Sequence, residues 1–481
     1  MNNKRLLTLI LALLVIAISW WRVMTVQVSL TVKEMVCDGV PLLYIVSENA
    51  KNVPGVLIAH GYAGSKQLML GYAYTLAHAG YAVMLWDFDS HAANTKPLGK
   101  NSLQQNLDVA YEALIKQPEV DKLRLATLGH SMGSGAVMSA AINNVNRYAA
   151  TVAISPTSAS VTPKAPPNLQ LQAGSWEGRF IANAKRLLKT AGGENKNLFR
   201  GKGRELVIIP NAEHITILFR NQSHLAARNW LDATFGSQRQ SNYVDYRMIW
   251  YVLHLLAWLV ILGAIAPVLS TSFLPSKVEQ LKSWAGLLIA PLIASGTLLV
   301  GNRLGDIDNL GGVLVGTAVS IWFGAAGLTW LVIMSRMQRP TVRGLGISII
   351  LFIVLWIGFG AMAQVVWLQW WLTGIRLQLF PILALISFPW FLASGIAQQN
   401  LLFGKRLLWW LGQSTALIGG FILVLYLLPN LGFIYLLLPL FPILVAIFSF
   451  TSSLLNEYWS YAIGNALFFG WMLAATFPLA S

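Results

Sequence analysis

From Tyr246 to the last residue the sequence carries four acids, Glu279, Asp306, Asp308 and Glu457, and is otherwise dominated by long apolar runs. Eight of these runs read as spans, at 247–269, 283–301, 312–334, 345–367, 378–397, 407–428, 432–452 and 459–479. A helix of about 20 residues crosses the hydrocarbon core of a bilayer, so each run has the length for it. A second half of this kind has too little polar surface to face water and is expected to fold as an all-α transmembrane domain. Composition agrees: 56% of the chain is hydrophobic and 11% charged, where a soluble domain carries about 25% charged residues.

The interval before it is different. Between Gln27 and Asp245 there are 21 Lys and Arg and 15 Asp and Glu, a balance suited to one soluble domain. The polar stretch FGSQRQSNYVDYR separates the halves. At the other end, Lys4 and Arg5 precede an apolar run from Leu6 to Trp21, a signal-type segment. Trp20 and Trp21 suit an interfacial anchor, and Ala17-Ile18-Ser19 offers the alternative of a removed signal peptide. The expected division is therefore a signal anchor at 1–26, a soluble domain at 27–245 and a membrane domain at 246–481.

Charge at the ends of the spans sets an orientation. With the N-terminus in the cytoplasm, Lys277, Lys282, Arg336, Arg339, Arg343, Lys405 and Arg406 fall in cytoplasmic loops. Arg303, beside Asp306 and Asp308, and Arg376 fall on the other side. This satisfies the positive-inside rule and puts the soluble domain outside the cytoplasmic membrane of a multi-pass cell-membrane protein. The net charge of +15 does not point to nucleic acid, because no basic stripe interleaves with aromatics and much of the excess lies in short loops. His254 is the main ionisable group inside a span, which argues against an ion-coupled transporter. Gln364, Gln413 and Asn465 are read as interhelical hydrogen-bond partners. Cys37 stands alone, so no intrachain disulfide forms.

Within the soluble interval, β-rich runs occur at VQVSLTV, LLYIVS, GVLIAH, YAVMLWD, RLATLG, ATVAIS, NLQLQA and ELVIIP. Helical patterns such as SLQQNLDVAYEALIKQ and SGAVMSAAINNV lie between them, the layout of a mostly parallel sheet covered by helices. Gly129-His130-Ser131-Met132-Gly133 follows the fifth run and opens a helix. A sharp strand-to-helix turn forces strained dihedrals and close backbone approach, so glycines flank the serine and its hydroxyl is lifted into solvent.

The region from Gln27 to Gly236 resembles the α/β-hydrolase superfamily, in the branch of dienelactone-hydrolase-like proteins and small bacterial esterases. Four segments carry the resemblance: VLIAHGYAGS with His60-Gly61-Tyr62, VMLWDFDSHAAN with Asp87 and Asp89, GHSMGSG around Ser131, and VIIPNAEHITIL with His214. Ser90 and His91 stand where the family often has a glycine and a histidine near Asp89, so that turn is not a clean match. The resemblance implies an α/β-hydrolase fold and a Ser131 nucleophile activated by His214. The family's chain order places an acid between them, and the interval offers Glu177, Glu194, Glu205 and Glu213 but no aspartate. Glu177, three residues after Gly174 and following a strand run, matches the family's position. The backbone N–H groups of Met132 and Tyr62 are the expected oxyanion donors. His224 is the rival base but falls in the expected terminal helix; His130 is expected to pack beside the elbow, and His60 to support the oxyanion loop.

The resulting expectation is a membrane-bound serine hydrolase cleaving an ester, either of a small molecule or of a lipid, without metal or organic cofactor. Its other partners would be membrane lipids. An acyltransferase using the same three residues and a non-catalytic sensor domain of a membrane complex remain the alternatives.

Overall fold

The computed structural model describes residues 3–269, 279–305, 307, 312–334, 340–455 and 457–480. Lys277, Asp306, Asp308, Arg336 and Arg339, used above to orient the chain, lie outside the described residues. Two compact units emerge. One comprises Trp20–Tyr251 with Ala363–Gln369, the other Met1–Ser19, Val252–Met362 and Trp370–Ser481.

The first unit is built on eight strands: β1 (Leu30–Cys37), β2 (Val40–Ser47), β3 (Val53–Ala59), β4 (Ala82–Trp86), β5 (Val120–His130), β6 (Ala150–Ile154), β7 (Leu169–Gly174) and β8 (Arg204–Ile209). They form one sheet in the order β1-β2-β4-β3-β5-β6-β7-β8. The β1–β2 and β2–β4 pairs are antiparallel and all the others parallel. All eight expected runs are strands, but the first is displaced. The helix α1 (Asn3–Met24) continues into a tight turn at Thr25–Gln27, so β1 starts only at Leu30. Its register is set by the two-residue turn Asp38-Gly39, both at positive φ, which pairs Cys37 with Val40 and Leu30 with Ser47.

Five helices cover the sheet: α2 (Leu70–His78), α3 (Ser102–Ile115), α4 (Met132–Asn143), α5 (Gly178–Thr190) and α6 (Asn221–Phe235). The central strands are buried on both faces, as crossover helices require. On one face Val56, Ile58, Leu128 and Val152 pack with Leu76 and Leu231; on the other Leu57, Ala59 and Met84 pack with Leu107 and Val137. Because every crossover runs over the sheet, the strand ends gather the loops that carry Ser131, Glu177 and His214 at one edge.

The unit also takes in Ala363–Gln369, well inside the interval expected to be membrane domain. Its boundaries are therefore not those of 27–245 alone: Arg247 donates from Nη1 to Val365 O (3.1 Å), and Tyr251 meets Trp367 edge to face (6.1 Å).

The second unit is helical. It holds the first part of α1, then α7 (Arg247–Leu269), whose first residues belong to the other unit. It continues with α8 (Gln280–Leu304), α9 (Gly316–Met334), α10 (Val342–Leu355), α11 (Met362–Val366, begun here), α12 (Gly374–Ala397), α13 (Phe403–Leu427), α14 (Phe441–Leu455) and α15 (Tyr458–Thr476). Eight helical stretches among the described residues are long and apolar enough to cross a membrane: Asn3–Gln27, Arg247–Val268, Gln280–Leu304, Gly316–Met334, Val342–Val366, Gly374–Ala397, Gly404–Leu427 and Pro429–Leu455. This is the pattern of a multi-pass membrane protein. The remaining expected span, 459–479, is the helix α15, which is not among those eight. Ala12 of α1 packs against Ala257 and Ile261 of α7.

Two of the three amides placed between helices are there. Gln413 Oε1 accepts from Ser394 Oγ (2.6 Å), and Asn465 Nδ2 donates to Thr451 Oγ1 (3.0 Å). Gln364 Nε2 donates to Gln369 Oε1 (3.3 Å), in the segment held by the first unit. Arg376 is not a loop charge: it is buried in the first turn of α12 and donates to the carbonyls of Ala474 and Phe477 at the end of α15, where a cation meets orphan carbonyls and the negative end of the helix dipole.

Candidate active site

The corner between β5 and α4 is as tight as its glycines suggest. Ser131 sits at φ 52° and ψ −119°, a strained conformation for a residue with a side chain. A Cβ on Gly129 would lie 2.4 Å from Gly133 O, and one on Gly133 would lie 2.5 Å from His60 O. The elbow is pinned from several sides: Ser131 N–H donates to Ile154 O (2.9 Å), and Ser131 O accepts from Ser134 Oγ (2.5 Å) and Thr157 Oγ1 (3.2 Å).

His214 stands in the turn after β8. That turn is held by Glu213, whose carboxylate accepts from the N–H groups of Ile215 and Thr216, while Glu213 N–H donates to Thr216 Oγ1. Glu177 begins α5 at its N-cap position, directly after β7. The three side chains meet in line. Ser131 Oγ lies 3.0 Å from His214 Nε2, and His214 Nδ1 lies 2.7 Å from Glu177 Oε1. The second oxygen of Glu177 accepts from Ser155 Oγ (2.9 Å) and Gly174 N–H (2.6 Å). With Glu177 as acceptor the proton of neutral His214 resides on Nδ1, which leaves Nε2 to receive a proton from the serine.

Most of the other candidates are engaged elsewhere. Glu205 accepts from Gln170, and Glu213 is consumed in its own turn. Asp87 forms a buried ion pair with Lys66 (2.5 Å), and Asp89 accepts from Asn94 and Asn106. His224 is buried in α6 against Leu218 O and Tyr72. His130 Nε2 donates to His214 O (3.0 Å), which ties it to the turn that carries His214. His60 Nε2 accepts from Phe88 N–H (3.1 Å) and its Nδ1 donates to Gly61 O (2.7 Å), tying down the loop that follows β3. Burial holds His60 below the ordinary histidine range; burial and then the adjacent His214 hold His130 well below it. Both stay neutral in neutral solution, so neither adds a fixed charge beside His214.

Met132 is the first residue of α4, directly after Ser131, so its N–H is one of those with no acceptor within the helix. Gly61 lets the Tyr62 turn approach: a Cβ there would lie 2.8 Å from His130 Nδ1 and 3.2 Å from Ser131 Cβ. Tyr62, Ser131 and Met132 line a groove of about 620 Å³ together with Leu103, Gln104 and Thr157. The sequence reading missed Phe180, whose ring stacks on His214 at 4.3 Å, and Ser155, whose role depends on a positive φ of 46°. Phe180 sits three residues after Glu177 at the start of α5, a helix whose apolar face could have drawn attention to it.

The strand order, one antiparallel edge followed by parallel strands, with Ser131, Glu177 and His214 in that order after β5, β7 and β8, decides the fold. The domain has the α/β-hydrolase fold. Residues 50–229 of the chain match the sequence model of a hydrolase family described as serine aminopeptidase, S33. Two uncharacterized proteins of Mycobacterium tuberculosis are each 30% identical over 89 residues, 18% of this chain and 32% of theirs. The chain thus spans about a third of the length of the curated relatives it matches. Among solved structures the hydrolase domain is similar to a dienelactone hydrolase from Anabaena variabilis (20% identity, 45% of this chain and 100% of that one, TM-score 0.31). A hormone-sensitive lipase from a metagenome library is also similar (18% identity, 43% and 87%, TM-score 0.34).

Proposed function

We propose that the protein is a membrane-bound serine hydrolase that cleaves a carboxylic ester. The observation that carries this reading is the line from Ser131 Oγ through His214 to Glu177, at 3.0 and 2.7 Å, beside the N-terminus of α4. Ser131 Oγ attacks the ester carbonyl as His214 Nε2 takes its proton. The N–H groups of Met132 and Tyr62 receive the developing oxyanion. The tetrahedral intermediate collapses, the alcohol leaves with the proton from His214, and the acyl group stays on Ser131. A water molecule, deprotonated by His214, attacks this acyl-enzyme and releases the acid, restoring Ser131. Glu177 holds the ring and stabilises its transient charge.

The substrate is a small-molecule or lipid ester, entering an open groove with apolar and amide-bearing walls, on the extracytoplasmic side of the cell membrane. A fluorophosphonate probe tests the assignment. Wild-type protein is expected to be labelled, and Ser131→Ala to lose labelling completely. Equal labelling of the variant would remove Ser131 from the mechanism.

A further inference from the structure

We propose that Gln369 is a positioning residue for the oxyanion turn, acting through Gln67; this rests on the serine-hydrolase reading above. The turn in question runs from Gly61 to Gln67. It is folded on itself by the hydrogen bond from Gly64 N–H to Gly61 O and by a positive φ of 53° at Ala63. At its start it is tied by His60, which is anchored to Phe88 N–H. At its end it needs a second tie, because Tyr62 lies between the two.

Two ties meet at that end. Lys66 is bound to Asp87 twice, from its backbone N–H to Oδ1 (2.8 Å) and from Nζ to Oδ2 (2.5 Å). Gln67, next in the chain, donates from Nε2 to Gln369 Oε1 (2.7 Å), and both amides are buried. Gln369 is 302 residues further along. It is not a passing contact, because its whole segment is fastened to the hydrolase unit. Gln364 Nε2 also donates to Gln369 Oε1 (3.3 Å), Arg247 donates to Val365 O, and Arg247 is itself fixed by a buried ion pair with Asp245 (2.7 Å). Trp367 packs on Tyr251. The segment therefore presents Gln369 on a fixed backbone, as a positioning group must be.

Removing the acceptor leaves a buried donor unmet on Gln67 and leaves the far end of the turn held only through Lys66 and Asp87, one residue short of Gln67. The N–H of Tyr62 then loses its aim at the oxyanion, which forms only in the transition state. The loss should therefore appear in kcat and not in KM.

The test uses full-length protein with a short soluble ester, each rate divided by the number of active sites titrated. Gln369→Leu is expected to lower kcat about tenfold with KM within about twofold. Gln67→Leu should do the same, and the double variant should be no worse than either alone, because both remove one interaction. Gln369→Glu keeps an acceptor facing Gln67 and should hold kcat within about twofold of wild type. Gln369→Asn, shorter by one methylene, should fall between. Phosphonylation of Ser131 by the fluorophosphonate, in which fluoride leaves and the phosphonyl oxygen uses the same donors, should slow in parallel.

A merely structural role gives a different result: less folded protein with unchanged kcat per site. Such an outcome for Gln369→Leu, or for Gln369→Asn if the leucine variant does not fold, overturns the proposal. If labelling still depends on Ser131 in that case, only the positioning role has failed. If Ser131→Ala retains labelling, the hydrolase reading itself has failed.

Discussion

Glu177 is almost fully buried and spends both oxygens on fixed donors, one of them His214, the proposed base. Replacing it with glutamine keeps the shape and one acceptor but puts an N–H where His214 or Ser155 needs an acceptor. Replacing His214 removes the proton carrier. Glu177→Gln is therefore expected to lower kcat by roughly ten- to a hundredfold less than His214→Ala does. Steady-state kinetics on the full chain give the comparison; equal losses would mean that Glu177 does more than orient the ring. The buried histidines predict a pH effect with a definite sign. Burial lowers His60, His130 and His224 in the folded chain, while the unfolded chain titrates them near ~6.5. Below that pH the unfolded state takes up protons that the folded state refuses. Stability should be level above ~6.5 and fall below it by up to about 1.4 kcal/mol per pH unit for each such histidine. Asp245 acts the same way further down. Burial alone would raise it, but Arg247 outweighs that and brings it to about 2. Its contribution is present above its unfolded value of ~3.8 and is lost as pH falls toward 2. Thermal unfolding in detergent, followed across this range, would contradict the argument if stability rose on acidification.

The elbow shows what an element can reveal before it is folded. Strand, Gly-x-Ser-x-Gly and helix follow one another in sequence, and each has a local signal, so β5, Ser131 and α4 were all legible. Glycine is needed there because backbone passes backbone: a Cβ on Gly133 would meet the carbonyls of Ala59 and His60 at 2.7 and 2.5 Å. Those atoms belong to β3 and its continuation and have no flexible end to move. Gly133→Ala is expected to destabilise the domain by about 2 kcal/mol or more, by overpacking, and to slow labelling of Ser131. A conservative change on an exposed position of α4, Asn143→Ala, should do neither; unfolding midpoints of the two variants decide it. The edge strand was less legible. Its start was read four residues early because the apolar run from α1 carries on past the helix end, although Asp38-Gly39 already fixed the hairpin register. Glu177 could be chosen among four acids from its place after β7, but its bonds to Ser155 and Gly174 depend on tertiary structure. Ala363–Gln369 left no local trace at all. Apart from Gln364 and Gln369 it is apolar like the span it ends, and its attachment to residues 67 and 247 is a contact over more than a hundred residues, which no periodicity encodes.

Across the whole chain, that segment constrains topology independently of loop charge. The hydrolase unit contains Tyr251 and Ala363 alike, so both must lie on the same side of a membrane. From Arg247 to Val366, whose first and last residues belong to that unit, run four of the eight membrane-length stretches, Arg247–Val268, Gln280–Leu304, Gly316–Met334 and Val342–Val366. Were each of the four to cross, the chain would return to the side it left, so the count and the composition of the unit agree. An odd number would have been impossible. The positive-inside rule then gives the expected direction. Lys4 and Arg5 precede the first span; Lys282 flanks the connection after α7, Arg343 the one after α9, and Lys405 and Arg406 the one before α13. By the alternation these all fall on one side, opposite the hydrolase unit, and cations are retained in the cytoplasm. We therefore expect Ser131 and Gln369 outside the cytoplasmic membrane and Lys405 inside it. Single cysteines at Gln240 and at Lys405, both exposed, test this after Cys37→Ser has removed the native thiol. A membrane-impermeant maleimide applied to intact cells should label the cysteine at Gln240 and not the one at Lys405, and permeabilisation should expose both. Labelling of Lys405→Cys alone would invert the orientation and leave the parity argument standing. Labelling of both before permeabilisation would mean that the span count between them is wrong, since Gln240 and Lys405 are separated by five of the membrane-length stretches.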